Sequence, residues 1–411
     1  LAKAQKVLDE LPVRNTLSWN ALISGYSQHG QAHDALNCYQ TMQSEGFTPD
    51  VITFTCILKA CGQIRALDEG EIIYEKVLSN ELLANDVALG NALVDMFVKC
   101  GMLAKSQQVL EDIPVRDAIS WNALIAGYVQ HDQDHEALIC FEHMQNEGLS
   151  PDIVTFICIL NACANTGSID MGKQIHKRII IQGLLDEDTM LGNALVDMYS
   201  KCGLLAKARE VLEELPFRDV ISWNALISAC VQQDECHEAL NCFQKMQNEG
   251  IPPDAVTFIC ILKACGSTGA IDNSEVIHEE IVSQGWLVKD IMLGNALVDM
   301  YAKCGMLTKA EETLEELPIR NVVSWSTVIT GYAEQGQGHE ALNSFERMKS
   351  EGICPDEVTC LCILSACCHS GLLDEMQMLF GNMHKEYGII PKLEHHTCMV
   401  MAFGGQFGLD Y

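Results

Sequence analysis

The chain has 411 residues and carries 56 Asp and Glu against 26 Lys and Arg, a formal net charge of −30. So large an acidic excess excludes a protein that coats nucleic acid by blanket phosphate neutralisation, though not a narrow basic track inside a groove. Hydrophobic residues make up 48% of the chain, ample for packed helices, yet no apolar run reaches the roughly 18 residues of a membrane span, so no membrane partner is expected.

The first residues, "LAKAQKVLDELP", show neither an initiator Met nor a leader pattern, and the chain is expected to start inside a repeat. Next comes "SWNALISGY" at 18–26, which returns as "SWNALIAGY" at 120–128, "SWNALISAC" at 222–230 and "SWSTVITGY" at 324–332. Trp19, Trp121, Trp223 and Trp325 are each 102 residues apart. A period of this kind signals a solenoid, which grows one unit at a time without a single large core.

Within residues 16–50, Trp19, Leu22, Ile23 and Tyr26 fall at helical spacing, and Gly30 marks a stop. Ala35, Leu36, Tyr39 and Met42 form a second apolar stripe, closed by Gly46 and Pro49. Residues 51–86 carry "ILKACG" and residues 87–117 carry "GNALVDMFVKCG", so one period holds units of 35, 36 and 31 residues. The triplets are 16–117, 118–219 and 220–321, followed by a 35- and a 36-residue unit over 322–392. Partial short units lie at 1–15 and 393–411. Each unit reads as two helices, and no lone hairpin buries both stripes, so the expected fold is all-α, an α-solenoid with a concave inner face.

Fourteen of the 20 cysteines sit on this lattice, at Cys38/140/242, Cys56/158/260/362, Cys61/163/265/367 and Cys100/202/304. Periodic Cys beside Ala and Leu reads as a small buried apolar residue. No CxxC occurs, so no metal ligand is assigned.

A tetratricopeptide scaffold that binds protein meets part of the Trp, Leu, Tyr, Ala and Pro pattern, but its units keep a length of about 34 residues. The cycling lengths and the recurring "SWNALI…GY…HEAL", "GNALVDMY.KCG" and "PDxVTF..IL.AC" instead resemble the pentatricopeptide repeat (PPR) family, specifically its plant PLS subgroup. The resemblance covers essentially residues 1–400 and implies a right-handed α-α superhelix that binds single-stranded RNA, one base per repeat. It also implies that the fifth and last residues of each unit choose the base.

On that resemblance Asn20 with Asp50, Asn91 with Asp117, Asn122 with Asp152, Asn193 with Asp219, and Asn224 with Asp254 match the uridine pair. Asn295 with Asn321 matches a pyrimidine pair, and Ser326 with Asp356 the guanosine pair, so the late Asn-to-Ser change alters the letter read. Long units read poorly, because Ile157, Ile259 and Leu361 hold their fifth places; only Thr55 with Asp86 offers a weak guanosine pair. The implied target is 5′-U-G-U-U-N-U-U-N-(C/U)-G-3′. Leu17, Ile119, Met190, Ile221, Met292 and Val323 are candidates for stacking on bases, with core packing as their other reading. Lys99, Lys201 and Lys303 match a position facing phosphates, with a solvated helix end as theirs.

Relatives continue into a deaminase domain, whose zinc chemistry needs His-x-Glu followed by CxxC. "HEE" at 278–280 and "HKE" at 384–386 have no such partner, so catalytic residues, metal and cofactor are all expected to be absent. The stretch "MAFGGQFGLDY" replaces a second helix, with Gly404, Gly405 and Gly408 opposing helix formation. The expected role is therefore an RNA-editing specificity factor of mitochondrion or chloroplast, with a deaminase-bearing partner acting in trans. A decayed copy is the other reading of this end, and no small-molecule substrate is expected.

Overall fold

The computed structural model describes residues 1–84, 86–186 and 188–404. Among them every regular element is helical, 25 α-helices and two 3₁₀ turns. The last α-helix, Leu393–Gly404, runs through the first part of the divergent tail; Gly405 and Gly408 lie outside the described residues.

The chain divides into two compact units, Leu1–Phe217 and Arg218–Tyr411. In the first, Ala2–Glu10 precedes three hairpin pairs built on the first helices Thr16–Gln28, Val51–Ile64, Val87–Lys99, Ala118–Gln130, Ile153–Thr166 and Thr189–Lys201. In the second, the first helices are Val220–Gln232, Ala255–Thr268, Ile291–Lys303, Val322–Glu334, Glu357–Ser370 and Leu393–Gly404. Inside each unit a first helix packs on its own second helix and on the first helix of the next hairpin. That neighbour-only stacking is the expected solenoid.

The tryptophans explain the strict period. The four periodic ones are buried, with exposures of 4% or less. Trp121, Trp223 and Trp325 donate their indole N–H to Glu147, Glu249 and Glu351 at 2.9, 3.2 and 3.1 Å. The same glutamates hold Arg116, Arg218 and Arg320 of the preceding loop at 2.9, 3.0 and 2.9 Å. The tryptophan thus fills the hairpin and meets a helix end, and the glutamate it meets there holds the incoming chain. The first copy departs: Arg14 pairs with Glu45, but the Trp19 indole nitrogen is buried with no partner.

The lattice cysteines Cys38/140/242 and Cys61/163/265/367 are buried as expected, whereas Cys100/202/304 are only half-buried. The thiols of Cys202 and Cys304 lie 3.7 Å from the carbonyls of Cys163 and Cys265 in the neighbouring hairpin. Two further polar contacts join long to short hairpins: His176 Nδ1 lies 3.0 Å from the Tyr199 hydroxyl, and His278 Nδ1 2.9 Å from that of Tyr301. Burial holds both imidazoles below their ordinary 6.5, and nearby Lys207 and Lys309 push the same way against Glu210 and Glu316.

Replacing Trp121 by Ala is expected to cost its local stack about 3–5 kcal/mol. Hydrogen exchange should rise mainly over residues 118–182; a uniform rise would contradict neighbour-only packing. The histidines give a second expectation. A folded-state pKa below the unfolded value makes the stabilisation complete above pH 6.5 and progressively lost as pH falls. The melting temperature should therefore drop between about pH 7.5 and about pH 5.5, and the double replacement His176→Gln, His278→Gln should flatten that drop.

Candidate nucleic-acid interface

The last residue of a unit is the N-cap of the next first helix. Asp50, Asp86, Asp117, Asp152, Asp219, Asp254 and Asp356 all cap in this way, as does Asn321. An acidic cap satisfies orphan amides and suits the positive helix end. The fifth residue of the preceding first helix lies just behind this cap.

In the 35-residue units the two meet. Asn20 Nδ2 donates to both Asp50 oxygens at 2.8 and 2.9 Å, Asn122 to Asp152 at 2.6 Å, and Asn224 to Asp254 at 2.9 Å. A threonine three residues past the cap closes each group: Thr53 and Thr257 donate to Asn20 and Asn224 Oδ1 at 2.6 Å, and Thr155 donates to Asn122. Burial alone would raise the Asp50 carboxyl; hydrogen bonds from the Thr53 amide, the Asn20 side chain, the Thr53 hydroxyl and the Ile52 amide hold it below the ordinary value. Ser326 meets Thr359 at 2.6 Å, and Thr359 in turn donates to Asp356 at 2.6 Å.

The short units differ. Asn91 donates to Asp117 at 3.1 Å, while the amide oxygens of Asn91 and Asn295 are buried with no hydrogen-bond partner. Asn193 is buried as well, and Asn321 binds its own helix through the Ser324 amide at 3.0 Å. In the first long unit the Thr55 hydroxyl turns back to the Val51 carbonyl at 2.8 Å and Asp86 caps through the Leu89 amide at 2.9 Å, so each has a local task.

The candidate stacking residues are on the surface. Leu17, Ile119, Met190, Ile221, Met292 and Val323 are 52–71% exposed, which removes their core-packing reading. Ile52, Val154, Val256 and Val358 of the long units hold the same second place and are 52–58% exposed, extending the row to the long units, three of which have an apolar fifth residue. The signal for them was in the sequence, at the residue after each unit's first.

Lys99, Lys201 and Lys303 end their first helices, half-exposed, and each pairs with a carboxylate one turn back: Asp95 at 2.7 Å, Asp197 at 2.9 Å and Asp299 at 2.8 Å. In the second unit these parts converge on one open cleft of about 330 Å³. Val323 and Val358 line it together with Ser326, Asp356, Lys303 and Asp299. Two exposed aliphatics, a candidate reading pair and a cation thus share one slot.

Among the described residues no helix is long and apolar enough to cross a membrane, and no group of three or more His, Cys, Asp or Glu side chains forms a metal-holding set.

Stacked helical hairpins with such polar groups recurring at their junctions define a helical-repeat protein with a serial surface. The chain belongs to the PPR repeat family: the family's repeat models match residues 14–63, 116–165, 218–267 and 320–369, and also 193–220, 295–322 and 358–387. It is 37% identical over 391 residues to the pentatricopeptide repeat-containing protein At4g38010 of Arabidopsis thaliana, covering 94% of this chain and 69% of that protein. The mitochondrial protein At1g06140 of the same plant is 34% identical, covering 96% of this chain and 71% of its own length. The chloroplastic protein At1g11290 is 35% identical, covering 98% and 49%. The chain thus spans about half to seven tenths of the length of these relatives. Among solved structures, the pentatricopeptide repeat protein PPR10 in complex with an 18-nt psaJ RNA element superposes with a TM-score of 0.62 at 16% identity, over 94% of this chain and 62% of that one.

Proposed function

We propose that this chain binds single-stranded RNA, one base per hairpin, and directs organellar C-to-U editing by a deaminase-bearing partner. The observation that carries the reading is the cleft flanked by Val323 and Val358. A base inserted between two aliphatics covers apolar surface that is otherwise exposed, and its edge then faces Ser326 and Asp356. The structural likeness to PPR10, solved with an RNA element, and the mitochondrial and chloroplastic relatives support the same reading.

The letters follow from which protons are left over. An Asn side chain whose Nδ2 already binds a carboxylate still offers a second N–H beside its carbonyl, which suits the donor and acceptors of a uracil edge. The Ser326 hydroxyl has the Val322 carbonyl and Thr359 Oγ1 on either side, both at 2.6 Å. Thr359 gives its proton to Asp356, so the Ser326 proton is spent inside the protein and its oxygen faces outward as an acceptor. An acceptor suits the amine-bearing edge of guanine.

Phosphate contact falls to Lys99, Lys201 and Lys303. Each would exchange an exposed one-turn ion pair worth about 0.3–0.5 kcal/mol for a phosphate, a small cost.

Selection from a random RNA pool should return 5′-U-G-U-U-N-U-U-N-(C/U)-G-3′, and a pool without uridine enrichment would refute the assignment. With about three phosphates neutralised, the logarithm of affinity should fall with the logarithm of salt at a slope of about −2. Negligible RNA binding at low salt would instead favour a protein-binding scaffold.

A further inference from the structure

We propose that the buried threonines Thr53, Thr155, Thr257 and Thr359 are positioning residues for base choice, each hydroxyl fixing which hydrogen-bonding groups of the reading side chain remain for RNA. The inference rests on the base-reading function above and adds a residue to it.

All four are 1% exposed or less, so none touches a ligand. Thr53 Oγ1 lies 2.6 Å from Asn20 Oδ1 and 2.9 Å from Asp50 Oδ1; Thr257 Oγ1 lies 2.6 Å from Asn224 Oδ1 and 3.0 Å from Asp254 Oδ1. The amide is therefore gripped at both ends, its oxygen by the hydroxyl and its nitrogen by the carboxylate. Turning the amide over would set its oxygen against the carboxylate and take from the hydroxyl proton its amide acceptor, leaving it only the Asp oxygen 2.9–3.0 Å away. One orientation survives, with donor and acceptor in a fixed order. Uracil and cytosine differ by that same swap, since N3 is a donor in one and an acceptor in the other. A gripped amide therefore separates the two pyrimidines, and a free one confuses them.

The short units supply the contrast within this chain. Ser120, Ser222 and Ser324 stand where the threonines stand, three residues past the cap. Their hydroxyls turn back to the cap carbonyls of Asp117, Asp219 and Asn321, each at 2.9 Å. The amide oxygens of Asn91 and Asn295 are left without a donor. Asn295, with neither hydroxyl nor carboxylate in contact, is the one reader whose pair matches either pyrimidine. Asn20, Asn122 and Asn224 of the 35-residue units should thus hold U over C more strictly than Asn91 and Asn295 of the short units.

The test measures dissociation constants for two RNAs that differ only by U or C at the base read by Asn224, using the full chain, Thr257→Val and Thr257→Ser. Thr257→Val should lower the U-over-C ratio by about fivefold, the worth of one hydrogen bond, and Thr257→Ser, whose hydroxyl should turn back to the Asp254 carbonyl as in Ser120 and Ser222, should lower it as well. A common loss of affinity for both RNAs, or an unchanged ratio, overturns the inference and leaves the threonine a helix cap. No preference in the unaltered chain would refute base reading itself. Should Thr257→Val unfold the junction, Ser120→Thr carries the test: it should sharpen U over C at the base read by Asn91, and an unchanged ratio overturns the proposal.

Discussion

At junctions such as those of Asp50, Asp117, Asp152 and Asp254, one carboxylate does two things. An Asp at the helix N-terminus must satisfy backbone amides that have no partner inside the helix, and it must also hold the Asn of the hairpin before it. The first task fixes where the next helix begins; the second ties the position of the reading residue to that beginning. A hairpin cannot slide against its neighbour without breaking this bond, so the spacing of the polar groups is the spacing of the repeats. The exposed aliphatics stand at the second helical position, three residues before each reading residue, and share that register.

The proposed RNA binding requires this acidic chain to keep its negative charge from dominating the binding face. Here several of the acidic groups nearest the proposed path are occupied, although Glu334 also lines the cleft. The cap carboxylates are bound by amides and threonine hydroxyls, and Asp95, Asp197 and Asp299 are paired with the lysines. Apolar surface and hydrogen-bond geometry then supply more of the expected affinity than charge does, which fits a shallow salt dependence. It also places the weight of recognition on stacking between neighbours such as Val323 and Val358.

Much of this was legible in the sequence, because a 102-residue period repeats the same physical problem and the residues that solve it recur. The hairpins and the buried tryptophans followed from that period, and the pairing of Asn with Asp from the family resemblance. Other features resisted for physical reasons. An aliphatic at the second helical place, such as Leu17, has the same spacing whether it faces core or solvent, and only the fold decides. The Asp four residues before each lysine was visible as a one-turn pair, but its competition with phosphate becomes evident only once both are placed. The grip of Thr257 on Asn224 joins residues 33 apart through side-chain rotamers, and no helical pattern encodes it. The turned-back Thr55 hydroxyl is likewise a local choice between backbone and partner.

The central claim is that one side chain in one hairpin sets one letter, and the natural exchange of Asn for Ser at position 326 offers the most direct test. Binding and sequencing of RNA pools should be compared between the chain and its Ser326→Asn variant. The account predicts that the final G becomes U, with a discrimination of about 1–3 kcal/mol and no change at the other nine positions. An unchanged final letter, or changes spread over several positions, would contradict it.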